Sequence, residues 1–236
     1  MKKTFLAAAV SAACAVSAAV GAFAETASQD PKPPLRLTLT FDDGTRDHYT
    51  IAVPELEKRG WRGLFCIITD KVGTDGHVTW DDVRDMVKRG HEIAAHTVSH
   101  VDLAALARAG NTNEIRRQVA ECCEKIKAET GVRPRLLCLP FTRWTPAVVE
   151  IAKTCGVETM LVKRNCFGDF DRRVDSTVDG LRAQNAERTD FLVHGICPEG
   201  GGWKPFASVE AFRGYLDDIQ KQEKAGKVRV VPYFRP

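Results

Sequence analysis

Short apolar runs recur along this chain, and most are followed by a longer segment whose apolar residues fall three or four apart. The first, Leu35-Arg36-Leu37-Thr38-Leu39-Thr40, alternates with period two, the pattern of a strand. Leu64 to Ile68 is continuously apolar, and Glu92-Ile93-Ala94-Ala95 is a shorter run of the same kind. Further strand candidates lie near Leu136, Val157, Asp190 and Val228, which brings the count to about seven.

Between them sit segments of helical period. Thr50 to Arg59 is helix-like, and Thr79 stands as an N-cap before Trp80, Val83 and Val87. Ile115, Val119, Cys122 or Cys123, and Ile126 mark one face of the longest helix, near Asn113 to Glu129. Thr145-Pro146 has the form of an N-cap with proline at the first helical position, ahead of Val148, Val149, Ala152 and Cys155. Val209, Phe212, Leu216 and Ile219 predict a final helix. The polar, basic stretch Lys163 to Thr189 gives the weakest pattern, with a short helix expected around Asp179 to Glu187. Alternating strands and helices argue for parallel β/α units in one domain, with a closed barrel and a doubly wound sheet both open on periodicity alone.

The N-terminus changes the picture. Met1-Lys2-Lys3, an Ala-rich apolar run and Ala22-Phe23-Ala24 have the charge, core and cleavage pattern of a secretory signal. The expected organisation is therefore a signal peptide over 1–24, a linker over 25–34 containing Pro31, Pro33 and Pro34, and a catalytic domain over 35–236. Cleavage near Ala24 would leave a secreted or periplasmic protein, and no other segment is long enough for stable membrane insertion. Removal of Lys2 and Lys3 leaves 32 basic against 31 acidic residues, a balance that disfavours nucleic acid as a partner. Oligomeric state is not legible.

Seven cysteines remain beyond Cys14, an odd number that leaves at least one thiol unpaired within the chain. Cys66 and Cys138 lie in apolar strands and Cys155 closes a helix, so buried packing is the expectation. Cys166 and Cys197 fall past strand ends, where a disulfide between them is the one pairing expected.

The chemistry concentrates at two strand ends. Thr40-Phe41-Asp42-Asp43-Gly44 places adjacent carboxylates at the tip of the first strand, and His96-Thr97-Val98-Ser99-His100 follows another with two imidazoles spaced four apart. One carboxylate and two imidazoles make a facial site for a divalent ion, leaving the other carboxylate free as a base. His48, His77 and His91 are expected to be loop surface residues.

These strings resemble the polysaccharide deacetylase family, the NodB-homology or carbohydrate esterase 4 group, in order and over Leu35 to about Val231. The resemblance implies a distorted (β/α)7 barrel with its site at the C-terminal strand ends. It implies that Asp42 is the catalytic base and that Asp43, His96 and His100 hold the metal, zinc first, with cobalt or nickel as alternatives. Thr189-Asp190-Phe191-Leu192-Val193-His194 is similar to the family's Leu-x-His motif, which makes His194 the general acid.

Two departures stand out. The family's third motif carries an arginine paired to the catalytic aspartate; here the stretch is Cys138-Leu139-Pro140-Phe141, with Phe141 left as a groove wall. Arg164, just past a strand, either repairs that loss or is a surface arginine beside Lys163. The fourth motif, two aspartates and a tryptophan, has no clean match among Asp169, Asp171 and Asp175. Substrate contacts are expected from Phe141, Arg164, Leu192 and Trp203, the last in a Gly200-Gly201-Gly202 loop that suits sugar stacking or a packed core tryptophan. The implied activity is hydrolytic deacetylation of an extracellular, acetylated glycan, through N-acetyl or O-acetyl groups. The alternatives are a hydrolase of the same fold acting on a non-sugar amide, and an inactive glycan-binding barrel.

Overall fold

A computed structural model describes residues 32–162 and 164–234. The signal peptide, Cys14 and most of the linker lie outside the described residues. Eight parallel strands form one curled sheet: β1 Leu35–Phe41, β2 Leu64–Ile67, β3 Glu92–Ala95, β4 Leu136–Cys138, β5 Thr159–Leu161, β6 Asn165–Phe167, β7 Arg188–Val193 and β8 Val228–Val230. The order is β5-β4-β3-β2-β1-β7-β6, with β8 added to the first half of β1 alongside Leu35 to Leu37. This is the distorted (β/α)7 barrel: seven strands follow one curved path whose two ends, β5 and β6, share no ladder.

The helices are α1 Val53–Glu57, entered through a helical segment His48–Ala52, then α2 Trp80–Lys88, α3 Leu103–Arg108, α4 Thr112–Thr130, α5 Pro146–Thr154, α6 Val174–Ala183 and α7 Val209–Lys224. Local chemistry starts them as expected: Thr79 and Asp82 form a reciprocal capping box, and the Thr145 hydroxyl accepts from Val148 N ahead of Pro146. Gly131, in the left-handed region, closes α4.

Strand alternation sorts the core into two layers. Leu37, Leu39 and Phe41 of β1, with Phe65 and Ile67 of β2, pack outward against the helices. Their neighbours Leu64, Cys66, Ala94, Leu136, Cys138 and Leu161 fill the barrel interior as a separate apolar cluster. Thr38 and Thr40 of β1 and Asp190 of β7 are also buried, so the inside of the barrel is apolar on one side and polar on the other.

Several expectations are corrected here. β6 and α6 both lie in the stretch where the sequence pattern was weakest, and the helix falls at Val174–Ala183, earlier than Asp179 to Glu187. Cys166 sits inside β6 and Cys197 in the loop after β7; both are free thiols, as are the other described cysteines. His48 and His91 are buried, in place of the surface positions expected. His91 accepts from Gly63 N at 3.1 Å through Nδ1, and burial pulls its pKa down to about 4 despite the nearby Glu57.

Candidate metal centre and active site

The tip of β1 turns sharply to present its carboxylates. Asp42 N donates to Val193 O at 3.0 Å, continuing the β1–β7 ladder by one bond, and the chain then reverses through Asp43 (φ 77°) and Gly44 (φ 71°). A left-handed aspartate is tolerated because its short side chain is compatible with that region. Thr97 and His100 are also left-handed, at φ 67° and 58°, as are Phe141 and Thr142 at 59° and 55°. Each non-glycine residue so placed costs of the order of 1–3 kcal/mol, and such residues concentrate where a site imposes the conformation.

His96 follows β3, and its Nδ1 lies 2.9 Å from Cys138 O. A carbonyl only accepts, so this bond places the proton on Nδ1 and leaves the Nε2 lone pair facing Asp43. The segment beyond it is held from α4. Gln118 Oε1 accepts from both Val98 N and Ser99 N at 3.0 Å, and His100 N donates to Thr97 Oγ1 at 2.9 Å. Gln118 was missed in the sequence, although a glutamine on the buried stripe of Ile115, Val119 and Cys122 is the signal that marks it.

Asp43 Oδ1 lies 3.3 Å from His96 Nε2 and 3.5 Å from His100 Nε2, and the three donor atoms fall within 4.8 Å of one another. That carboxylate oxygen is buried and has no hydrogen-bond partner. A buried, unpartnered carboxylate oxygen between two imidazole nitrogens fits a divalent ion of nitrogen and oxygen preference. Asp42, His96 and Cys138 form a second close group. Burial pushes the Cys138 thiol pKa up, and its sulfur lies 2.7 Å from Cys66 Sγ and donates to Asp42 Oδ1 at 3.4 Å.

Asp42 is built differently from Asp43. Its Oδ2 accepts from Arg164 Nη1, while Arg164 Nε donates to Asp190 Oδ2 at 2.9 Å and Nη2 to Thr40 Oγ1 at 2.6 Å. The Arg164 side chain is 1% exposed and does not face the cavity. It is therefore a buried partner of the carboxylate, not the substrate contact expected from sequence. Burial pushes the Asp42 carboxyl up, but Arg164, His96 and His194 outweigh it and hold it well below the usual carboxylate range. Asp43 is likewise lowered, because His96 outweighs burial. The imidazoles split: burial opposes the charged form in all three, Asp42 and Asp43 overcome it at His96, and burial wins at His100 and His194.

His194 follows β7 with its ring 4.8 Å from that of Trp203 at 84°. Asp42, Asp43, His96, His100 and His194 converge on one cavity of about 510 Å³. Phe141, Leu192 and Trp203 stand in its walls, and Phe141 packs edge-on against His100 at 4.8 Å. The five groups predicted for chemistry thus meet at one place, with three of the four predicted substrate contacts around them.

Comparison with known proteins found relatives in sequence and in fold. YxkH of Bacillus subtilis (strain 168) is 36% identical over 80 residues, 34% of this chain and 29% of YxkH, so the chain spans well under two thirds of that relative. A chitooligosaccharide deacetylase of Sinorhizobium fredii is 29% identical over 164 residues, 68% of this chain and 72% of the relative. The solved structure of the Bc1960 peptidoglycan N-acetylglucosamine deacetylase shares the fold with a TM-score of 0.64 at 18% identity, over 86% of this chain and 88% of that one. The family description "Polysaccharide deacetylase" matches residues 29–160, which cover β1 to β4, end within β5 and carry both the Asp42-Asp43 and His96-His100 strings, and the chain belongs to that family.

Proposed function

We propose that this chain is a divalent-metal-dependent deacetylase that removes N-acetyl groups from an extracellular amino-sugar polymer. One observation carries the reading: the unpartnered Asp43 oxygen between His96 and His100 shares a cavity with a second carboxylate, Asp42, locked by Arg164, and with His194. Asp43, His96 and His100 are the proposed ligands, with zinc as the ion. When bound, such an ion polarises an acyl oxygen and lowers the pKa of a nearby water.

The chain's own residues do the rest. Asp42, whose carboxyl is held low against its burial chiefly by Arg164, accepts the proton of the attacking water. Arg164 fixes that carboxylate through Oδ2, the oxygen that also lies 3.9 Å from His96 Nε2, while Oδ1 accepts from the Cys138 thiol. His194 delivers a proton to the departing nitrogen, and its burial makes the imidazolium readier to release it. Phe141 and Trp203, 55% and 56% exposed, offer flat apolar faces against which a sugar ring can stack. The signal peptide over 1–24, the linker over 25–34 and the catalytic domain over 35–236 are part of the proposal, and they imply export.

The test is acetate release by the metal-loaded protein from chitin oligomers, peptidoglycan fragments, acetylated xylan and simple amides. Faster release from an N-acetylated sugar polymer is expected. Preference for a simple amide would move the activity to the non-sugar alternative, and no release from any of them would favour the glycan-binding alternative.

A further inference from the structure

The loop after β7 carries His194 into the cavity, yet nothing bonds to the ring to orient it: His194 Nδ1 is buried without a hydrogen-bond partner. The ring's position therefore depends on its backbone and on Trp203. That backbone is held from the turn after β1. Asp47 is buried, and its Oδ2 accepts from Ile196 N at 2.8 Å and from Cys197 N at 3.4 Å, while its Oδ1 accepts from Thr45 Oγ1 at 2.5 Å. The next residue, His48, places Nε2 against His194 O. Gly200 passes so close that a Cβ there would lie 2.0 Å from Asp47 Oδ2, and one on Gly202 would lie 2.4 Å from Gly195 Cα.

We propose that Asp47 is a positioning residue for His194: its carboxylate clamps the backbone of the loop that bears the imidazole, and so governs proton delivery to the leaving group without touching substrate. This rests on the reading of His194 as the general acid. Backbone N–H bonds to a carboxylate are among the stronger ones, and in a dry interior they hold a loop more firmly than packing alone. The loop from His194 to Ser208 contains four glycines, Gly195, Gly200, Gly201 and Gly202; buried Ile196 and Phe206 anchor it by packing, and Asp47 is the carboxylate that holds the backbone directly after His194. The same turn thus supplies the base, a proposed metal ligand and the support of the acid.

The test compares the zinc-loaded wild-type chain with Asp47→Asn, Gly200→Ala, His194→Ala and the Asp47→Asn/His194→Ala double variant. Two readouts are taken: amide hydrogen exchange, and turnover of N-acetylated chitopentaose against 4-nitrophenyl acetate, whose leaving group needs little protonation. Asp47→Asn is expected to speed exchange at Ile196 and Cys197 with β1 to β4 unchanged. It should lose about tenfold or more on the oligosaccharide while staying within about threefold on the aryl ester. Gly200→Ala, which pushes the loop off the carboxylate, should reproduce that pattern, and the double variant should lose no more selectivity than His194→Ala. Unchanged exchange at Ile196 and Cys197, faster exchange throughout the barrel, or equal losses on both substrates from Asp47→Asn would overturn the proposal. If His194→Ala itself loses both substrates equally, the acid assignment fails first and the role of Asp47 fails with it.

Discussion

Replacing Arg164 by methionine keeps most of the side chain's bulk and removes its charge, which isolates what the guanidinium does. In the barrel interior it bridges Asp42 and Asp190, with side chains 1%, 4% and 8% exposed, and also donates to Thr40. Breaking a buried ion pair by removing one partner costs about 3–5 kcal/mol, because the remaining charge is left uncompensated. For a chain of this size that corresponds to a fall of about 6–20 °C in Tm.

The pH dependence gives the argument its sign. In the wild type Asp42 is held below its unfolded value, so its contribution is fully present above the usual carboxylate range and is lost only as pH falls through and below that range. Without Arg164, Asp42 loses the largest influence that lowers it and Asp190 loses the one that restrains it, so both carboxyls shift upward relative to the wild type. A raised carboxyl is stabilising below its unfolded pKa and loses that contribution as pH rises, so the variant's deficit should shrink on acidification. Each proton taken up on folding changes stability by about 1.4 kcal/mol per pH unit. Urea unfolding at pH 7.5 and pH 5 should therefore show a smaller deficit at the lower pH. A deficit below about 1 kcal/mol, or one equal at both pH values, would refute the view of Arg164 as the buried counter-ion of these carboxylates.

Two further outcomes follow from the site. Asp42→Asn keeps size and polarity but cannot accept the proton, so turnover should fall at least about a hundredfold while metal content measured by mass spectrometry stays at the wild-type level. Gln118→Ala leaves Val98 N and Ser99 N without their acceptor, and chelator competition should show zinc affinity about 10–100-fold weaker although no ligand is touched.

The parts of this fold that were legible in the sequence are those where one local rule acts alone. The period-two run into Asp42 predicted β1, Thr79 and Thr145-Pro146 marked real helix starts, and the stripe of Ile115, Val119 and Ile126 marked the buried face of α4. The grouping of Asp43, His96 and His100 was legible because these residues fall in two short strings, each at the end of an apolar run. What was not legible depends on packing between distant segments. Asp190 falls on the interior face of β7 only once β1 is its neighbour, and its pairing with Arg164, just before β6, joins segments separated by β6 and α6. β6 is three residues long and rests on β7, so no periodicity could announce it. Asp47 belongs to the same class: a lone aspartate after a strand turn is unremarkable until Ile196 and Cys197 are beside it.

The central claim is that Asp43, His96 and His100 hold one ion on which deacetylation depends. The most direct measurement is to strip the purified protein with a chelator, titrate zinc back, and follow acetate release from N-acetylated chitopentaose against zinc bound per chain. Activity should be lost on stripping, return in proportion to zinc up to one ion per chain, and fail to return in His96→Ala. Full turnover by metal-free protein, or recovery in His96→Ala equal to that of the wild type, would contradict the account.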